Sequence, residues 1–322
     1  MSWIQRRATM SMTRIRPSHL ALLVCFVAGA SASPAPAQDA VGVTQLAGTL
    51  AKIKKTRMVT IGYRDASVPF SYMNAAKDPG ARQPIGYSID ICLDIVEDIR
   101  GELGDDTIQV RYLPVSPQTR IPMVVDGSVD LECGQTTNNT ERQKQVAFSP
   151  IIFVSGTKLL VKLSSKLRSY RDLKGKTVVA TEGSTNQAAI KSIDAKEKLG
   201  IKLILVRDND QAFQAVDSGK ADAWAGDDAV LYATAAESKN PSDYSVLDEF
   251  LSYDPYGIMY RKGDPEFDAQ VKKTFEKLAE TRELARIYEQ WFLRKLPSGR
   301  TLGIAMSPQL QSIFGSLGQP TE

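Results

Sequence analysis

The chain has 322 residues, 43% of them hydrophobic and 24% charged, which indicates a globular protein long enough for two domains and excludes a disordered or fibrous one. The formal net charge is +3, from 40 Lys and Arg against 37 Asp and Glu. Four of these arginines lie in the first 37 residues, so the remainder has 36 basic and 37 acidic side chains, a net charge of −1. This balance gives no indication of a nucleic-acid partner or of an anionic membrane surface.

The first 37 residues have the organisation of a secretory signal peptide. A basic segment without acidic residues precedes the apolar run LALLVCFVAGA (residues 20–30), which is too short for a permanent membrane span. A stretch rich in small residues follows. We expect cleavage after APA (residues 35–37), with ASA (residues 30–32) as the alternative site, and therefore a periplasmic protein. Retention of the segment as an N-terminal anchor is the competing interpretation.

The residues available for catalysis and metal binding are few. The only histidine, His19, lies in the predicted signal peptide, so the rest of the chain has no Ser-His-Asp or Cys-His arrangement and no histidine metal ligand. Cys92 and Cys133 are too few for a thiolate zinc site, and neither GxGxxG nor GxxxxGK[ST] occurs. We therefore expect no metal and no cofactor. The two cysteines can form a disulfide in an oxidising compartment or stay reduced, and their spacing leaves both open.

Helices and strands alternate along the chain. The first predicted elements are a helix over 44–56, a strand over 58–62, a helix over 87–99, a strand over 108–113, a helix over 120–126 and a strand over 129–133. The pattern recurs as a strand over 176–181, a loop over 182–186 that opens a helix, a strand over 202–206, a helix over 213–218 and a strand over 221–225. Such alternation indicates an α/β fold.

Two segments share one local pattern. VVDGSVDLECG (124–134) and AVDSGKADAWAGDD (215–228) both read as helix, Gly, two residues, Asp, strand. Gly127 and Gly219 are expected to end their helices in the left-handed conformation, and Asp130 and Asp222 to stand where a short strand begins. Both copies lead into polar residues beyond the carboxyl end of a strand, where ligands bind in open α/β sheets. The pattern therefore predicts two similar α/β lobes and places ECGQTTNNTERQ (132–143) at a site position.

The apolar strands at 156–162 and 256–261 are the candidate crossovers between the lobes. The chain is expected to leave the first lobe near residue 155 and to return near residue 254. The predicted domains are the signal peptide at 1–37, a discontinuous lobe 1 at 44–155 and 254–296, lobe 2 at 156–253 and a C-terminal extension at 297–322. The extension, opened by Pro297, is expected to be loosely packed.

Five segments carry a resemblance to a known family. They are GYRDASVPFSY (62–72), GYSIDIC (86–92), SPQTRIPMVVDGSVDLECGQTTNNTERQKQVAFS (116–149), DLKGKTVVATEGST (172–185) and YGIMYRKGDPEF (256–267). Together they resemble the periplasmic solute-binding proteins of polar amino-acid ABC importers, and TTNNTERQ in register with Arg64 and Arg120 is typical of the subgroup that binds glutamate and aspartate. The resemblance implies the type II fold, in which two α/β lobes joined by two crossover strands close on an amino acid. It also implies a monomer that delivers its ligand to a membrane permease and is not an enzyme.

The resemblance implies a role for each matching residue. Arg142 binds the ligand α-carboxylate with the help of hydroxyls at Thr137 and Thr185, and Asp227 binds the α-ammonium. Arginine suits these sites because its planar fork meets a carboxylate through two hydrogen bonds and stays charged. Ser184 stands where a helix opens, so free N–H groups there can also receive the carboxylate. By position alone, Asp227 can instead cap the following helix.

The distal part of the site departs from the family pattern. Arg64 and Arg120 match arginines that hold the side-chain carboxylate, although each can by position be a solvated surface residue. A serine of the family is replaced by Pro117, another by Gln135, and a histidine by Asn209. Glutamate or aspartate is the expected ligand because both arginines persist, with glutamine, asparagine or a related polar compound as the alternative. A dehydratase-like enzyme and a sensor domain are the remaining interpretations.

Overall fold

The structure is a computed structural model of the chain and describes residues 46–75 and 78–320; the predicted signal peptide lies outside these residues. The first part of the chain forms α1 (Gly48–Thr56), β1 (Met58–Tyr63), β2 (Ala66–Ser67), β3 (Ser71–Met73), β4 (Pro84–Ile85), α2 (Tyr87–Leu103), β5 (Gln109–Pro114), α3 (Arg120–Val125), β6 (Leu131–Glu132) and β7 (Val146–Phe148). Six of them (α1, β1, α2, β5, α3 and β6) lie close to predicted elements, because their apolar residues repeat at the helix or strand period. The short strands β2, β3, β4 and β7 were not predicted.

The middle of the chain forms a second α/β unit. Its elements are β9 (Thr157–Lys162), β10 (Thr177–Thr181), α4 (Thr185–Glu197), β11 (Lys202–Val206), α5 (Asn209–Asp217), β12 (Ala223–Asp227), α6 (Asp228–Glu237) and β13 (Tyr244–Val246). Two short strands flank this unit, β8 (Phe153–Ser155) before it and β14 (Asp254–Tyr256) after it. The chain ends with β15 (Met259–Arg261), α7 (Pro265–Glu280), α8 (Glu283–Tyr288), a π-helical segment (Glu289–Leu293) and α9 (Pro308–Ser316). None of the helices in the described ranges has the length and apolar character to cross a membrane.

Two five-stranded sheets form the centres of the two lobes. The first has the order β5-β1-β6-β15-β7, and the second has the order β11-β10-β12-β9-β13. In each sheet the first three strands of this order are parallel to one another. The fourth strand, β15 in lobe 1 and β9 in lobe 2, is antiparallel to the third. Helices cover both sheets, so the molecule is the two-lobed α/β fold that the sequence predicted.

The strands that connect the lobes are not the two apolar runs predicted as crossovers, although the connection lies near residues 155 and 254 as expected. The paired strands β8 and β14 join the lobes as a separate two-stranded antiparallel sheet. The run predicted as the first crossover instead forms β9, an inner strand of lobe 2, and the second half of the other predicted run forms β15 in lobe 1. Both predicted strands exist, but an apolar run in the sequence does not reveal which sheet it joins, because that depends on long-range pairing.

The connecting strands are held by aromatic side chains of lobe 1. The ring of Phe153 on β8 lies 4.9 Å from that of Phe70 and 5.0 Å from that of Phe292 between centroids. Tyr256 on β14 lies 5.2 Å from Phe70 and is fully buried. Such contacts add about 0.5–1.5 kcal/mol each beyond area burial. The connection is therefore anchored on lobe 1.

The repeated glycine and aspartate pattern has the predicted structure in both lobes. Gly127 and Gly219 have φ values of +79° and +76°, in the left-handed region. Asp130 accepts a hydrogen bond from the backbone N–H of Thr60 on β1 (2.9 Å), and Asp222 accepts one from that of Thr177 at the start of β10 (2.8 Å). In each lobe the glycine ends a helix and the aspartate ties the following strand to the strand beside it.

Two long-range features complete lobe 1. Cys92 of α2 and Cys133 beyond β6 form a disulfide, which settles the alternative left open by the sequence. Closing a loop of 41 residues in sequence separation stabilises the fold by about 4 kcal/mol in the chain-entropy view. The C-terminal extension is packed more tightly than predicted, because Leu310 and Phe314 of α9 are buried in the core. Their spacing of four residues puts both on one face of the helix.

Candidate functional site

The ends of several strands and helices meet at a small cavity between the lobes. The cavity has a volume of about 20 Å³, roughly the space of one water molecule, so an amino acid enters only when the lobes separate. Its lining is polar and comes from both lobes: Arg64, Pro117, Arg120, Gln135, Thr137, Thr181, Ser184, Thr185, Asn186, Asn209 and Asp227. Eight of the nine predicted site residues belong to this lining.

Arg142, the ninth, does not line the cavity but lies next to it. Its Nη1 donates to the carbonyl oxygen of Thr137 at 2.8 Å, and the residue is 8% exposed. Thr137 Oγ1 donates to Asp254 on β14 (3.1 Å) and lies 3.4 Å from Thr185 Oγ1 across the cleft. Arg142 and Thr185 are thus connected through Thr137.

Three arginines are buried on the lobe 1 side of the cleft. Arg64 follows β1, Arg120 begins α3 and Arg142 opens a short 3-10 turn; Arg64 and Arg120 are 4% and 3% exposed. Arg120 Nη1 donates to Thr136 Oγ1 at 2.5 Å, whereas Arg120 Nε is buried without a hydrogen-bond partner among the described residues. These arginines are not the solvated surface residues that their positions alone allowed.

Burial lowers the pKa of all three arginines. Desolvation is the first cause, and it lowers the pKa of Arg64 to about 10 and that of Arg142 to about 9, with the charge of Arg120 as the next cause in both. The pKa of Arg120 is also lowered by burial, against the opposing effect of Glu132. The carboxylates around the arginines oppose this lowering but do not cancel it.

Asp227 faces this cluster from the end of β12 in lobe 2. Its Oδ1 accepts from Asn186 Nδ2 (2.8 Å) and its Oδ2 from Gln135 Nε2 across the cleft (3.3 Å). Burial, and next the charge of Asp254, raise the pKa of Asp227 to about 6. Asp227 occupies the N-cap position of α6 but its side chain makes no capping hydrogen bond. The Asp227 carboxylate is therefore hydrogen-bonded within the cleft and does not cap α6.

The N-terminus of α4 opens into the same cavity. Ser184 is the N-cap and accepts from the backbone N–H of Gln187 at 3.1 Å, while Thr185 and Asn186 form the first turn. Free N–H groups and the helix dipole favour a negative charge at such an end. The loop before the helix reaches this place because Gly183 has a φ of +72°, which glycine adopts without strain.

The residues that replace the family pattern bridge the lobes. Asn209, the first residue of α5, donates to the carbonyl oxygen of Ala66 (3.0 Å) and to Ser67 Oγ (3.3 Å) in lobe 1. Its Oδ1 accepts from Thr181 at 3.2 Å. Pro117 stands opposite the loop that holds Gly183. Both residues therefore lie where the two lobes meet.

Sequence reasoning missed several residues of the site. Thr181 and Asn186 line the cavity, and Glu132 and Thr136 lie directly behind the arginines. All four stand in segments that were already recognised as polar or as strand ends, but the sequence gives no sign of which side chains face inward. In the described residues, no group of three or more histidine, cysteine, aspartate or glutamate side chains is arranged to hold a metal ion.

The two lobes, the connecting strands and the charged cleft between them define a solute-binding protein that closes around a small polar ligand. The family comparison agrees with this class: the pattern of the bacterial extracellular solute-binding proteins, family 3, matches residues 59–294. The chain belongs to this family. Its matched relatives are named as binding proteins and not as enzymes.

Individual relatives support the same placement. The chain is 42% identical to an L-glutamate/L-aspartate-binding protein of Pseudomonas aeruginosa, over 94% of this chain and 97% of the relative. It is 36% identical to a glutamate/aspartate import solute-binding protein of Salmonella typhimurium, over 90% and 94%. Among solved structures it is similar to an ancestral arginine-binding protein bound to arginine, with a TM-score of 0.64 and 29% identity over 73% of this chain and 98% of that one.

Proposed function

We propose that this protein binds glutamate or aspartate between its lobes and delivers it to the membrane permease of an ABC importer. The names of the Pseudomonas and Salmonella relatives support this ligand class. The observation that carries the proposal is the convergence of Arg64, Arg120 and Arg142, all buried and all with a lowered pKa, opposite Asp227. A ligand with two carboxylates and one ammonium supplies the charges that this cleft lacks.

In this proposal the side-chain carboxylate of the ligand is held by Arg64 and Arg120. Arg120 has a buried Nε without a partner in the described residues, which is a donor available for an acceptor from the ligand. Hydrogen bonds to charged groups contribute about 1.5–3 kcal/mol each, and micromolar binding needs about 8 kcal/mol in total. A few such bonds at both ends of the ligand are enough for that affinity.

The α-groups of the ligand are held by the other residues. Arg142, Thr137, Ser184 and Thr185 receive the α-carboxylate together with the N–H groups that open α4. Asp227 receives the ammonium, which takes the place of the 3.3 Å contact from Gln135. Both charges of the zwitterion are then paired, as a buried ion requires.

A neutral ligand is the second candidate, because two amide side chains line the distal end. Gln135 and Asn209 offer both donors and acceptors to a ligand amide. Glutamine or asparagine is favoured if these amides, and not Arg64 and Arg120, set the preference. Asn209 is already bonded to Ala66, Ser67 and Thr181, so fewer of its groups remain for a ligand.

A thermal-shift screen of all amino acids tests the ligand class, since a ligand that binds the folded form raises its melting temperature. We expect the largest shifts with glutamate and aspartate. Arg64→Ala removes the preference for acidic side chains, and Arg142→Ala removes binding. Arg171→Ala, at an exposed arginine of lobe 2, serves as the control and leaves the shifts unchanged. A larger shift with glutamine than with either acid contradicts the proposed specificity.

The remaining parts of the proposal concern the whole chain. Residues 156–253 move as lobe 2 relative to lobe 1, which comprises residues 44–155 and 254–296. The exported protein is a periplasmic monomer that has lost residues 1–37, and it binds no nucleic acid. Intact-mass measurement of the exported protein identifies the cleavage site, and light scattering of the purified protein measures its oligomeric state.

A further inference from the structure

Glu132 is a fully buried carboxylate that none of the proposed ligand contacts uses. It ends β6 and has 0% exposure. Its Oε2 accepts a hydrogen bond from Thr136 Oγ1 at 2.5 Å, while Oε1 has no hydrogen-bond partner among the described residues. Burying a carboxylate is costly when one of its two oxygen atoms accepts no hydrogen bond, unless positive charges surround it.

The surrounding positive charges are those of the ligand cleft. The charge of Glu132 opposes the lowering of the pKa of Arg64, Arg120 and Arg142 alike, and for Arg120 it is the largest charge effect. One carboxylate therefore favours the charged form of all three guanidinium groups. Other carboxylates also face the cluster: Asp227 of lobe 2 and Asp254 of β14 act on Arg142, and Asp65 and Asp208 act on Arg64.

A hydroxyl connects Glu132 to one of the arginines. Thr136 Oγ1 donates to Glu132 and accepts from Arg120 Nη1, each at 2.5 Å. Because a hydroxyl can donate one hydrogen bond and accept others, this chain fixes the orientation of the Arg120 guanidinium. The side chain of Arg120 is thereby directed by a residue that does not reach the cavity.

The backbone beside Glu132 is shaped to leave it room. A Cβ atom at Gly134 would lie 2.4 Å from Glu132 Oε1 and 3.0 Å from Arg64 Cγ. Ser88 Oγ holds the Gly134 carbonyl oxygen at 2.8 Å. Glu132 and Arg64 can therefore occupy these positions only because residue 134 is a glycine.

We propose that Glu132 is the internal counter-ion of the three-arginine cluster and, through Thr136, positions Arg120, so that it sets how strongly the cleft prefers acidic over neutral amino acids. The selectivity part of this inference rests on the proposed function. Glu132 is a positioning residue that does not touch the ligand. Its negative charge partly compensates the positive charges of the arginines. The two hydrogen bonds of the Thr136 hydroxyl keep Arg120 oriented towards the ligand.

Two variants act in opposite directions on the ratio of the dissociation constants for glutamine and glutamate. Glu132→Gln removes the internal charge, so the arginines depend more on the ligand and the ratio rises about tenfold. Thr136→Val keeps the charge but removes the hydroxyl, so Arg120 turns towards Glu132 and the ratio falls about tenfold. Glu141→Gln and Thr140→Val, at exposed neighbours in the same segment, leave the ratio unchanged.

The measurement is isothermal titration calorimetry on the full exported chain with both ligands. A merely structural role of Glu132 weakens both ligands in parallel and leaves the ratio constant, which overturns the proposal. If Glu132→Gln does not fold, Thr136→Val still decides the matter, because an unchanged ratio in that variant refutes the positioning of Arg120.

The ligand-free protein provides a readout that does not depend on the ligand class. Glu132→Gln lowers the melting temperature at pH 7, where all three arginines are charged. The deficit becomes smaller towards pH 10, because Arg142 and Arg64, with pKa values of about 9 and 10, lose charge in this range. Asp227 is already ionised there, and burial raises the pKa of Tyr256 well above its usual value. A deficit that is constant with pH refutes the counter-ion role, whereas a failure of wild type to bind either acid refutes only the proposed function.

Discussion

Asp227 shows how burial turns an ordinary carboxylate into a pH-sensitive contact. The side chain is 5% exposed and lies near Asp254, and the two effects raise its pKa to about 6. The folded pKa is thus above the ordinary value of 3.8. The stability that Asp227 contributes is fully present below about pH 4 and is lost as the pH rises through 6. In the folded protein the ionised form of Asp227 is therefore destabilised, and a cationic partner stabilises it.

Ligand binding is therefore expected to release a proton near pH 6. A ligand ammonium pairs with the ionised carboxylate, so the affinity falls by up to about tenfold for each pH unit below the pKa. Calorimetric titration at pH 5.5 in two buffers with different ionisation enthalpies measures the released proton.

The control for this experiment is Asp126→Asn, at an exposed aspartate outside the cleft, which keeps the proton release. Asp227→Asn loses it together with most of the affinity. Equal heats in the two buffers for wild type would show that Asp227 does not change its protonation when the ligand binds.

At the scale of elements, the glycine and aspartate pattern is the part of the fold that the sequence predicted best. Gly219 ends α5 in the left-handed conformation, with nothing within 4 Å of the position where a Cβ would be. At the matching Gly127, a Cβ would lie 2.2 Å from Arg261 Nη2. The same local conformation is thus required in both lobes, whereas the crowding is specific to lobe 1.

Gly219→Ala is expected to lower the free energy of unfolding by about 1 kcal/mol, because an L side chain is strained in the left-handed region. The matched control is Gly101→Ala in the last turn of α2, where a Cβ also has nothing within 4 Å. There alanine favours the helix and stabilises by about 0.5–1 kcal/mol. Urea unfolding measures both changes, and a destabilised Gly101→Ala would show that loss of glycine itself is harmful.

Some elements were predicted less well than others. The strand over 202–206 was predicted at its observed bounds, but α5 begins at Asn209, four residues before the predicted start. Asp208 caps this helix by accepting from the backbone N–H of Gln211 at 3.0 Å, a signal present in the sequence but masked by three consecutive polar residues. The connecting strands β8 and β14 were not predicted, because each has only three residues and no periodic pattern.

At the scale of the whole molecule, direct hydrogen bonds hold the two lobes together. Gln118 Nε2 of lobe 1 donates to the carbonyl oxygen of Glu182 in lobe 2 at 2.8 Å, and Asn209 donates back to Ala66. Gln118 does not line the cavity. It therefore contributes to the closed state and not to ligand contacts, and its effect on affinity reports on closure alone.

Gln118→Ala is expected to raise the dissociation constant of the ligand about fivefold, the equivalent of about 1 kcal/mol for one lost hydrogen bond. The control is Gln109→Ala, at an exposed glutamine of β5 whose side chain donates to the Thr107 carbonyl oxygen in its own lobe. Calorimetry gives the affinities, and small-angle scattering without ligand gives a larger radius of gyration for the Gln118 variant. An unchanged affinity with an unchanged radius would mean that this contact does not stabilise closure.

The sequence alone determined the class of fold, the two-lobe organisation and the chemical type of the site, because apolar periodicity, helix-ending glycines and a block such as TTNNTERQ are local features. Only the tertiary structure decided the disulfide, the position of the connecting strands, and the burial of Glu132 behind the arginines. The physical reason is distance along the chain. Gln135 and Asp227 are 92 residues apart and meet across the cleft, and the burial that raises the pKa of Asp227 depends on the packing of the folded chain.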